Sequence, residues 1–309
     1  MKPTVIDLFA GCGGLSYGFT MAGFEVVGFV EFWKPAIETY LKNHPHAVHI
    51  GTDICKVSDD VLQSYKGKID IIAGGPPCQG FSLCGSRDVN DKRNQLYKEF
   101  LRFVRVINPK VVVLENVVGL LSMYDIDGEP IISKILRDFI KLDYSVSYKV
   151  LTASEYGVPQ DRRRLFFIAQ KRDIFPEKVE GQKTVIESIG DIPNEYGALN
   201  GHFFFETQDA TVAKIKKLKE GEKMSKKYNF SRQRLKANEP SKTVTTQSMF
   251  IHPIYDRFLT ARELARLQSF PDDFAFTGSK TAMVKQIGNA VPPLLAYSIA
   301  KQIMEVEHA

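Results

Sequence analysis

The first half of the chain alternates short apolar stretches with helix-like stretches, and this alternation constrains the fold more than any other feature. The runs TVIDLFA, EVVGFVE, DIIAGG and VVVLENV are rich in β-branched residues, and each ends at a polar or glycine-containing tip. Between them, LSYGFTMAG and QLYKEFLRFVRVI carry apolar residues at helical spacing. Strands that alternate with helices in this way predict an α/β fold with a doubly wound parallel sheet.

The character of the sequence changes after RRLFFIA at residues 163–169. Residues 187–255 are richer in Gly, Asn, Lys and Phe and lose the alternation of strands and helices, whereas residues 256–309 return to helical patterns such as LTARELARLQSF. We therefore predict a main domain formed by 1–186 and 256–309, with a second, smaller domain inserted at 187–255.

The composition is that of an ordinary soluble globular protein, with 44% hydrophobic and 25% charged residues. No apolar run is long enough to span a bilayer. Asp7 interrupts the N-terminal apolar stretch shortly after Lys2, which argues against a signal peptide. We therefore expect a cytoplasmic protein with no membrane partner.

The cysteines and histidines do not suggest a metal site. The chain has four cysteines: Cys12, Cys55, Cys78 and Cys84. Their irregular spacing, without a C-x-x-C pair, fits neither a disulfide framework nor a zinc site. The three histidines of NHPHAVH, residues 43–49, have no cysteine or acidic partner at ligand spacing, so we expect a loop with solvent-facing imidazoles rather than a metal site.

Positive charge is concentrated in one segment. The net charge is +5, but residues 214–236 contain ten lysines or arginines against two glutamates and so carry +8. A polyanion is the natural partner for such a segment, and a solvated helix face is the alternative for its first part. Tyr228, Phe230, Arg232 and Arg234 combine aromatic and guanidinium groups, which favours nucleic acid.

The carboxyl ends of the predicted strands share one edge, where ligands bind in doubly wound, Rossmann-like sheets. DLFAGCGG forms a glycine-rich turn after the first strand, and Glu31 ends the second strand twenty residues after Gly11. This spacing suits a carboxylate bonded to a ribose hydroxyl and predicts an adenosine-bearing cofactor. A dinucleotide is the alternative, but Ser16 replaces the third glycine and Asp7 would lie near a pyrophosphate, so S-adenosylmethionine suits the turn better.

Three more residues at this edge are candidate cofactor contacts. Asp53 would accept a hydrogen bond from an adenine amino group, while Ile54 and Phe32 would cover the two faces of the ring. Each residue taken singly is explained as well by a strand end facing water or core. Their order along one edge favours the cofactor site.

The stretch GGPPCQGFS presents Cys78 behind two prolines, which makes a poor core strand. We therefore expect this thiol to be partly exposed at the ligand edge, rather than buried and inert. Glu115 ends a neighbouring strand, and QDRRR supplies Arg162 and Arg164. A thiol, a carboxylic acid and guanidinium groups can together attack a polarised ring, protonate it and hold its carbonyl group.

Six motifs, in this order, resemble those of the DNA cytosine 5-methyltransferases: DLFAGCGG, GGPPCQGFS, LENV, QDRRR, RFLTARELARLQSFPDDF and QIGNAVPP. The resemblance implies a Rossmann-like methyltransferase sheet, built by 1–186 and 256–309, that uses S-adenosylmethionine. It implies that 187–255 is a target-recognition domain for double-stranded DNA. It also implies DNA methylation in a restriction-modification setting, with a cognate restriction endonuclease as a partner, and we expect the chain to act as a monomer.

The resemblance assigns catalytic roles to four residues. Cys78 would add to carbon 6 of cytosine and make carbon 5 reactive toward the methyl group. Glu115 would bond the N3 and amino edge of the ring, Arg164 would hold its carbonyl oxygen, and Arg162 would orient the site. Beta-elimination would then remove the carbon 5 proton and release the thiol. With Ile54 added, the candidate cofactor contacts are Phe9, Gly11, Gly13, Glu31, Phe32, Asp53, Ile54, Pro77, Leu96, Asn289 and Val291.

A cytosine inside a duplex must be flipped out of the stack before a thiol can reach it. SLCGSRDVNDKRNQL has the composition of a loop that closes over such a base, and it contains Ser82 as a candidate DNA contact. EPSKTVTTQ resembles the end of the family's recognition domain, with Thr243 as a further candidate. Arg232, Arg234 and the lysines before them are candidate phosphate contacts.

Three alternatives stay open at this point. An enzyme of the same fold could methylate cytosine in tRNA instead of DNA. A zinc deaminase needs H-x-E and P-C-x-x-C, but Phe81 stands where the second cysteine should be. A catalytically silent DNA-binding module is expected to lack Cys78, Glu115 or Gly11, and all three are present.

Overall fold

The computed structural model describes residues 2–77, 92–125, 128–170, 174–225 and 232–307. Its strands are β1 (Thr4–Leu8), β2 (Glu25–Val30), β3 (Val48–Gly51), β4 (Ile71–Gly74), β5 (Val111–Asn116), β6 (Val146–Thr152), β7 (Gln160–Asp161), β8 (Arg163–Ala169) and β9 (Ser241–Lys242). Its α-helices are α1 (Gly14–Met21), α2 (Lys34–Asn43), α3 (Asp59–Gln63), α4 (Lys92–Ile107), α5 (Ile131–Ile140), α6 (Val185–Ile189), α7 (Asp209–Ile215), α8 (Ala261–Leu267), α9 (Lys280–Asn289) and α10 (Pro293–Glu307).

Seven strands form one sheet in the order β3-β2-β1-β4-β5-β8-β6, and β7 pairs with β9 in a separate two-stranded sheet. The strands from β3 to β5 are parallel to one another, which confirms the doubly wound α/β prediction. The strand order reverses between β1 and β4, the place where such sheets bind ligands. In contrast to the predicted all-parallel sheet, β8 runs antiparallel to β5 and β6, so its first residues lie at the edge where β5 ends.

Helices cover both faces of the sheet because successive residues of a strand point to opposite sides. Val5 packs into the cluster that contains side chains of α1, α2 and α10, whereas Ile6 and Leu8 pack into the cluster formed with α3, α4 and α5. Helices α1 and α10 approach closely at Gly18, where an added β-carbon would lie only 2.4 Å from the β-carbon of Ala296. Glycine is therefore needed at this crossing.

The segment predicted to be inserted packs continuously with the residues around it. A third apolar cluster joins Val185 and Leu235 to Leu264 and Ile287. Strand β9, near the end of the segment, pairs in parallel with β7. Strand β7 directly precedes β8 of the seven-stranded sheet. The apolar packing therefore crosses both predicted boundaries, and the division at 187 and 255 stays a prediction.

Within the described residues, none of the helices is both long enough and apolar enough to cross a membrane.

Candidate active site

The glycine-rich turn after β1 is held open by backbone conformation. Phe9, Gly11 and Gly13 all have positive φ, at 60°, 55° and 95°, and α1 begins immediately afterwards. Glycine adopts a positive φ without the clash that a β-carbon brings, so this conformation is unstrained at Gly11 and Gly13. The two glycines therefore allow the chain to turn sharply between β1 and α1.

Glu31 fixes the turn to the end of β2. Its Oε2 accepts a hydrogen bond from the Gly11 backbone N–H at 2.8 Å. Its Oε1 accepts from the backbone N–H groups of Phe32 at 3.0 Å and Trp33 at 2.8 Å. The carboxylate is thus oriented by three backbone donors before any ligand arrives, and such preorganisation favours tight binding.

A cavity of about 760 Å³ opens at the carboxyl edge, between the glycine-rich turn and α9. It is large enough for a nucleoside-sized ligand. The candidate cofactor contacts that line it are Phe9, Gly11, Glu31, Phe32, Asp53, Ile54, Pro77, Leu96, Asn289 and Val291. Residues that are 280 positions apart in the sequence thus meet at one site, which the order of the motifs alone does not establish.

Gly13 is the one candidate cofactor contact that is not among the residues lining the cavity. It caps α1, and a β-carbon there would lie 2.9 Å from the ring of His44. His44 is buried, and its Nε2 lies 3.3 Å from the Gly13 carbonyl oxygen, so the expectation of a solvent-facing imidazole is wrong for this residue. Burial lowers the pKa of His44 to about 4, so the ring is neutral at physiological pH.

The side of the cavity predicted to hold an adenine ring combines one carboxylate with apolar groups. Asp53 Oδ1 accepts a hydrogen bond from the Cys55 backbone N–H at 3.0 Å, and Ile54 is buried beside it. Phe32 is 73% exposed, which is unusual for a phenylalanine and leaves a ring face available. All three residues lie at the cavity, and their contacts with an adenine ring stay a prediction.

Glu115 and Arg164 form an ion pair at the wall of the cavity. Arg164 Nε lies 2.8 Å from Glu115 Oε1, and both side chains are less than one-fifth exposed. Glu115 is near the end of β5, and Arg164 is near the start of β8. Because β8 is antiparallel to β5, the start of one strand meets the end of the other, and the two predicted catalytic groups come together.

The chain leading to Cys78 is packed directly against Glu115. A β-carbon added at Gly75 would lie 2.8 Å from Glu115 Oε2, so a larger residue there would displace the Glu115 carboxyl group. Asn116 Nδ2 donates a hydrogen bond to the Pro76 carbonyl oxygen at 3.1 Å. Pro77 lines the cavity. Cys78 and Ser82 lie outside the described residues, so their predicted roles remain predictions from the sequence.

The Arg162 side chain is buried, donates hydrogen bonds to backbone carbonyl groups, and is not among the residues that line the cavity. It is 1% exposed, its Nη1 donates to the Val244 carbonyl oxygen at 2.8 Å, and its Nη2 donates to the Gly288 carbonyl oxygen at 3.0 Å. Burial, together with the nearby positive charge of Arg164, lowers its pKa to about 9, so it stays charged at neutral pH. Its contacts make it a positioning residue.

Two buried glutamines add hydrogen bonds to the contact that Arg162 makes between Val244 and Gly288, which we call the buried junction. Gln160 Oε1 accepts from the Val244 backbone N–H at 2.7 Å, so Val244 is held from both its N–H and its carbonyl group. Gln160 Nε2 donates to Gln268 Oε1 at 2.9 Å, and Gln268 Nε2 donates to the Ile287 carbonyl oxygen at 2.7 Å. The network joins β7, the end of the segment 187–255, and the helix end that carries Asn289.

We expect Arg162→Met to lower the free energy of unfolding by about 2–4 kcal/mol, because two buried carbonyl groups lose their donors. Arg163→Met is the matched control, since its side chain is exposed and its replacement should change stability by less than about 0.5 kcal/mol. Urea denaturation of both variants measures the difference. Equal stability of the two variants would contradict the buried junction.

The basic segment is divided between exposed lysines and one buried arginine. Lys214, Lys216, Lys217, Lys219 and Lys223 are exposed, as is Arg232. Residues 226–231, which include Tyr228 and Phe230, lie outside the described residues.

Arg234 does not have the exposure that a phosphate contact needs. It is 5% exposed, its Nη2 donates to the Ile215 carbonyl oxygen at 2.9 Å and to Asp256 Oδ1 at 2.5 Å, and its Nη1 donates to the His252 carbonyl oxygen at 3.1 Å. A guanidinium group with these partners stabilises the fold. We therefore no longer count Arg234 among the proposed DNA contacts.

Thr243, the other candidate DNA contact of this region, is half-buried, and its hydroxyl donates to the Asp161 carbonyl oxygen at 2.9 Å. This bond adds to the pairing of β7 with β9.

Sequence reasoning missed Trp33 and Lys285, which also line the cavity. Lys285 Nζ lies 4.6 Å from the centre of the Trp33 ring, in a cation–π contact. Trp33 follows Glu31 and Phe32 directly, so its closeness to two candidate contacts is the signal that could have found it. Lys285 precedes QIGNAVPP and carries no comparable signal.

In the part of the chain that the structure describes, no group of three or more His, Cys, Asp or Glu side chains is arranged to hold a metal ion.

The chain matches a known protein family over nearly its whole length. The family described as C-5 cytosine-specific DNA methylase matches residues 3–305. The Type II methyltransferase M.DdeI of Desulfomicrobium norvegicum is 37% identical, with 97% of this chain and 88% of the relative covered. The Type II methyltransferase M1.HphI of Haemophilus parahaemolyticus is 38% identical, with 99% and 88% covered.

Two solved structures resemble the whole chain. A prophage-encoded E. coli protein assigned as a DNA modification methyltransferase gives a TM-score of 0.85 at 30% identity, with both chains fully covered. The Dnmt2 methyltransferase of S. pombe gives a TM-score of 0.72 with 99% of each chain covered, but at 17% identity this likeness shows the fold alone. The match over nearly the whole length, supported by relatives above 30% identity, shows that the chain belongs to the C-5 cytosine-specific DNA methylases and is a DNA (cytosine-5-)-methyltransferase.

Proposed function

We propose that this enzyme transfers the methyl group of S-adenosylmethionine to carbon 5 of a cytosine flipped out of a specific duplex sequence, through a covalent bond between Cys78 and the base. The observation that carries the proposal is the Glu115–Arg164 ion pair at the cavity wall. It lies against Gly75, three residues before the thiol.

The residues of the cavity fit S-adenosylmethionine. Glu31 and Asp53 supply acceptors for a ribose hydroxyl and an adenine amino group, while Ile54 and Phe32 supply apolar surface for the ring. A pyrophosphate would meet the buried carboxyl group of Asp7 and the carboxylate of Glu31, which disfavours a dinucleotide. When bound, the cofactor supplies an electrophilic methyl group on a positively charged sulfur.

The side chains near the cavity match the needs of the base. The Cys78 thiolate adds to carbon 6 while N3 takes up a proton through its hydrogen bond with Glu115, so no negative charge accumulates on the ring. Arg164 donates to the carbonyl oxygen and holds Glu115 in place. Carbon 5 takes the methyl group, which leaves S-adenosylhomocysteine, and a water molecule then accepts the carbon 5 proton. Cleavage of the bond between carbon 6 and sulfur restores the ring and frees the Cys78 thiolate, and N3 returns its proton at Glu115.

We propose residues 187–255 as the target-recognition domain and residues 1–186 with 256–309 as the catalytic domain. The exposed lysines between Lys214 and Lys223 support a phosphate-contacting role for this segment. Arg232 is exposed and Thr243 is half-buried, and we keep both as proposed DNA contacts. Base flipping costs a few kcal/mol, which contacts to the surrounding duplex must offset.

We expect the affinity for duplex DNA to fall steeply between low and moderate salt, because lysines that contact phosphates release counterions. Replacing Lys216 and Lys217 together by glutamine should reduce the slope of log affinity against log salt by about 2. Replacing Lys66 and Lys301 together by glutamine is the control of equal charge change, because both side chains are exposed and lie outside residues 187–255. Fluorescence anisotropy across a salt series measures both, and a flat response of the parent protein would remove the phosphate-contact role.

Transfer of tritium from labelled S-adenosylmethionine to unmethylated duplex DNA tests the proposed reaction, with tRNA as the competing substrate. We expect label in DNA only. Bisulfite sequencing of DNA from cells that express the protein then identifies the methylated sequence. Label in tRNA and none in DNA would overturn the proposed substrate.

The type II names of the relatives support a restriction-modification setting. We propose a cognate restriction endonuclease that recognises the same DNA sequence, and a monomeric methyltransferase. Size-exclusion chromatography with light scattering tests the oligomeric state, and cleavage of unmethylated but not methylated DNA by a co-expressed nuclease tests the partner.

A further inference from the structure

Asp7, in β1, has a buried carboxyl group, and one of its two oxygens accepts no hydrogen bond from the described residues. It is 1% exposed and is among the residues that line the cofactor cavity. Its Oδ2 accepts a hydrogen bond from the Ser16 hydroxyl at 2.6 Å, whereas its buried Oδ1 has no hydrogen-bond partner among the described residues. A buried carboxylate oxygen without a partner is costly, so its presence calls for an explanation.

A purely structural role explains only half of this carboxyl group. The Ser16 hydroxyl lies 2.6 Å from the Tyr40 hydroxyl, so Asp7, Ser16 and Tyr40 form a buried chain that connects β1, α1 and α2. That chain uses Oδ2 alone. An asparagine would satisfy the same contact without the cost of burying an ionisable group.

The surroundings of Asp7 offer no compensating positive charge. Burial raises its pKa to about 7, and the negative charge of Glu31 adds to the rise, while the Ser16 hydroxyl opposes it. Lys285 is the only lysine or arginine among the described residues that line the cavity, and it rests over the Trp33 ring. Among the described residues that line the cavity, none supplies a positive charge to the ionised form of Asp7, and a bound cation would supply it.

We propose that Asp7 is the counter-charge for the cationic methionine part of the cofactor, and that it makes cofactor affinity depend on pH. This inference rests on the proposed cofactor. S-adenosylmethionine carries two positive centres, a sulfonium and an ammonium group, and an ionised carboxylate is stabilised by either. The product S-adenosylhomocysteine keeps only the ammonium group.

The sign of the pH dependence follows from the carboxyl group. Below its pKa, Asp7 is protonated and neutral, so a cation gains little from it. As the pH rises through 7, the group ionises and affinity for a cationic ligand increases. We expect a gain of about five- to tenfold between pH 6 and pH 7.5, since the ionised fraction rises by that factor.

Other titratable groups that face Asp7 lie outside this window. Burial raises the pKa of Tyr40, on α2, well above its usual value of 10 and that of Cys12, in the glycine-rich turn, to about 12. Burial lowers the pKa of His44 to about 4. Glu31, at the end of β2, is the remaining charged group that acts on Asp7.

Isothermal titration of the full chain with S-adenosylmethionine and with S-adenosylhomocysteine, at several pH values, tests the inference. Asp7→Asn keeps the shape of the side chain and an acceptor for the Ser16 hydroxyl. Its affinity for S-adenosylmethionine should therefore not increase between pH 6 and pH 7.5, and any change that remains comes from titration of the ligand itself. Measurement in two buffers of different ionisation enthalpy should show release of up to about one proton near pH 6.5 in the parent protein only. A rise with S-adenosylmethionine alone identifies the sulfonium group, and a rise with both ligands identifies the ammonium group.

Ser16→Ala provides a second test if Asp7→Asn does not fold. Loss of the hydroxyl removes a group that lowers the Asp7 pKa, so the affinity curve should move to higher pH. The inference is overturned if the parent protein and Asp7→Asn show the same pH dependence, or if Ser16→Ala leaves the curve in place. Failure of the parent protein to bind S-adenosylmethionine at any pH would instead overturn the proposed function.

Discussion

Replacement of Cys78 by serine abolishes methyl transfer, with an expected loss of at least about 1000-fold, because a serine hydroxyl is a far weaker nucleophile than a thiolate. Binding of duplex DNA and of S-adenosylmethionine should persist, since the cavity and the basic segment do not depend on the sulfur atom. Tritium transfer measures the activity, and anisotropy and calorimetry measure the two binding steps.

Cys55→Ser is the matched control for this variant. Cys55 is an exposed free cysteine that follows the cavity residue Ile54, so its replacement removes a thiol close to the site without removing the proposed nucleophile. We expect it to keep parent-like activity. Full activity in Cys78→Ser, or an equal loss in both variants, would exclude the covalent mechanism.

The cofactor side of the site could be predicted from the sequence because its geometry is local. Gly11 and Glu31 lie just beyond the ends of the neighbouring parallel strands β1 and β2, and the distance between such strands is fixed by the sheet. Their 2.8 Å hydrogen bond follows almost directly from that pairing. The glycine-rich turn was informative for the same reason, since positive φ restricts which residues can stand there.

The catalytic side could be predicted only in part. Strand-helix alternation indicates parallel strands, and it carries no signal that β8 runs the other way. That reversal brings Arg164 to Glu115. Arg162 lies in the same QDRRR motif and cannot be distinguished from Arg164 by sequence, yet its side chain is buried and bonded to the carbonyl groups of Val244 and Gly288. Whether an arginine faces a ligand or the core depends on tertiary packing.

The burial of individual polar residues could not be predicted from the composition either. Arg234 and His44 read as members of a basic segment and of a histidine-rich loop, but both are buried and hydrogen-bonded to backbone carbonyl oxygens. Such residues are fixed by partners far along the chain, and charge counting cannot find those partners.

Glu115→Gln should lower the rate of methyl transfer by about 100- to 10,000-fold, because the amide cannot give a proton to N3 of the base. The amide oxygen can still accept from Arg164 Nε, which lies 2.8 Å from Glu115 Oε1, so the shape of the wall should be retained. Affinity for S-adenosylmethionine should change little. Single-turnover kinetics with tritiated cofactor separates the chemical step from product release.

Glu155→Gln is the matched control, because Glu155 also pairs with a cation, Lys178 at 2.7 Å, but is not among the residues lining the cavity. It should keep parent-like rates. Arg164→Lys completes the test: it keeps the positive charge but loses the planar donor group, so its rate should fall less than that of Glu115→Gln if proton donation dominates. An equal fall in both would mean that the ion pair only shapes the wall. The proton-donating role of Glu115 would then have to pass to another group.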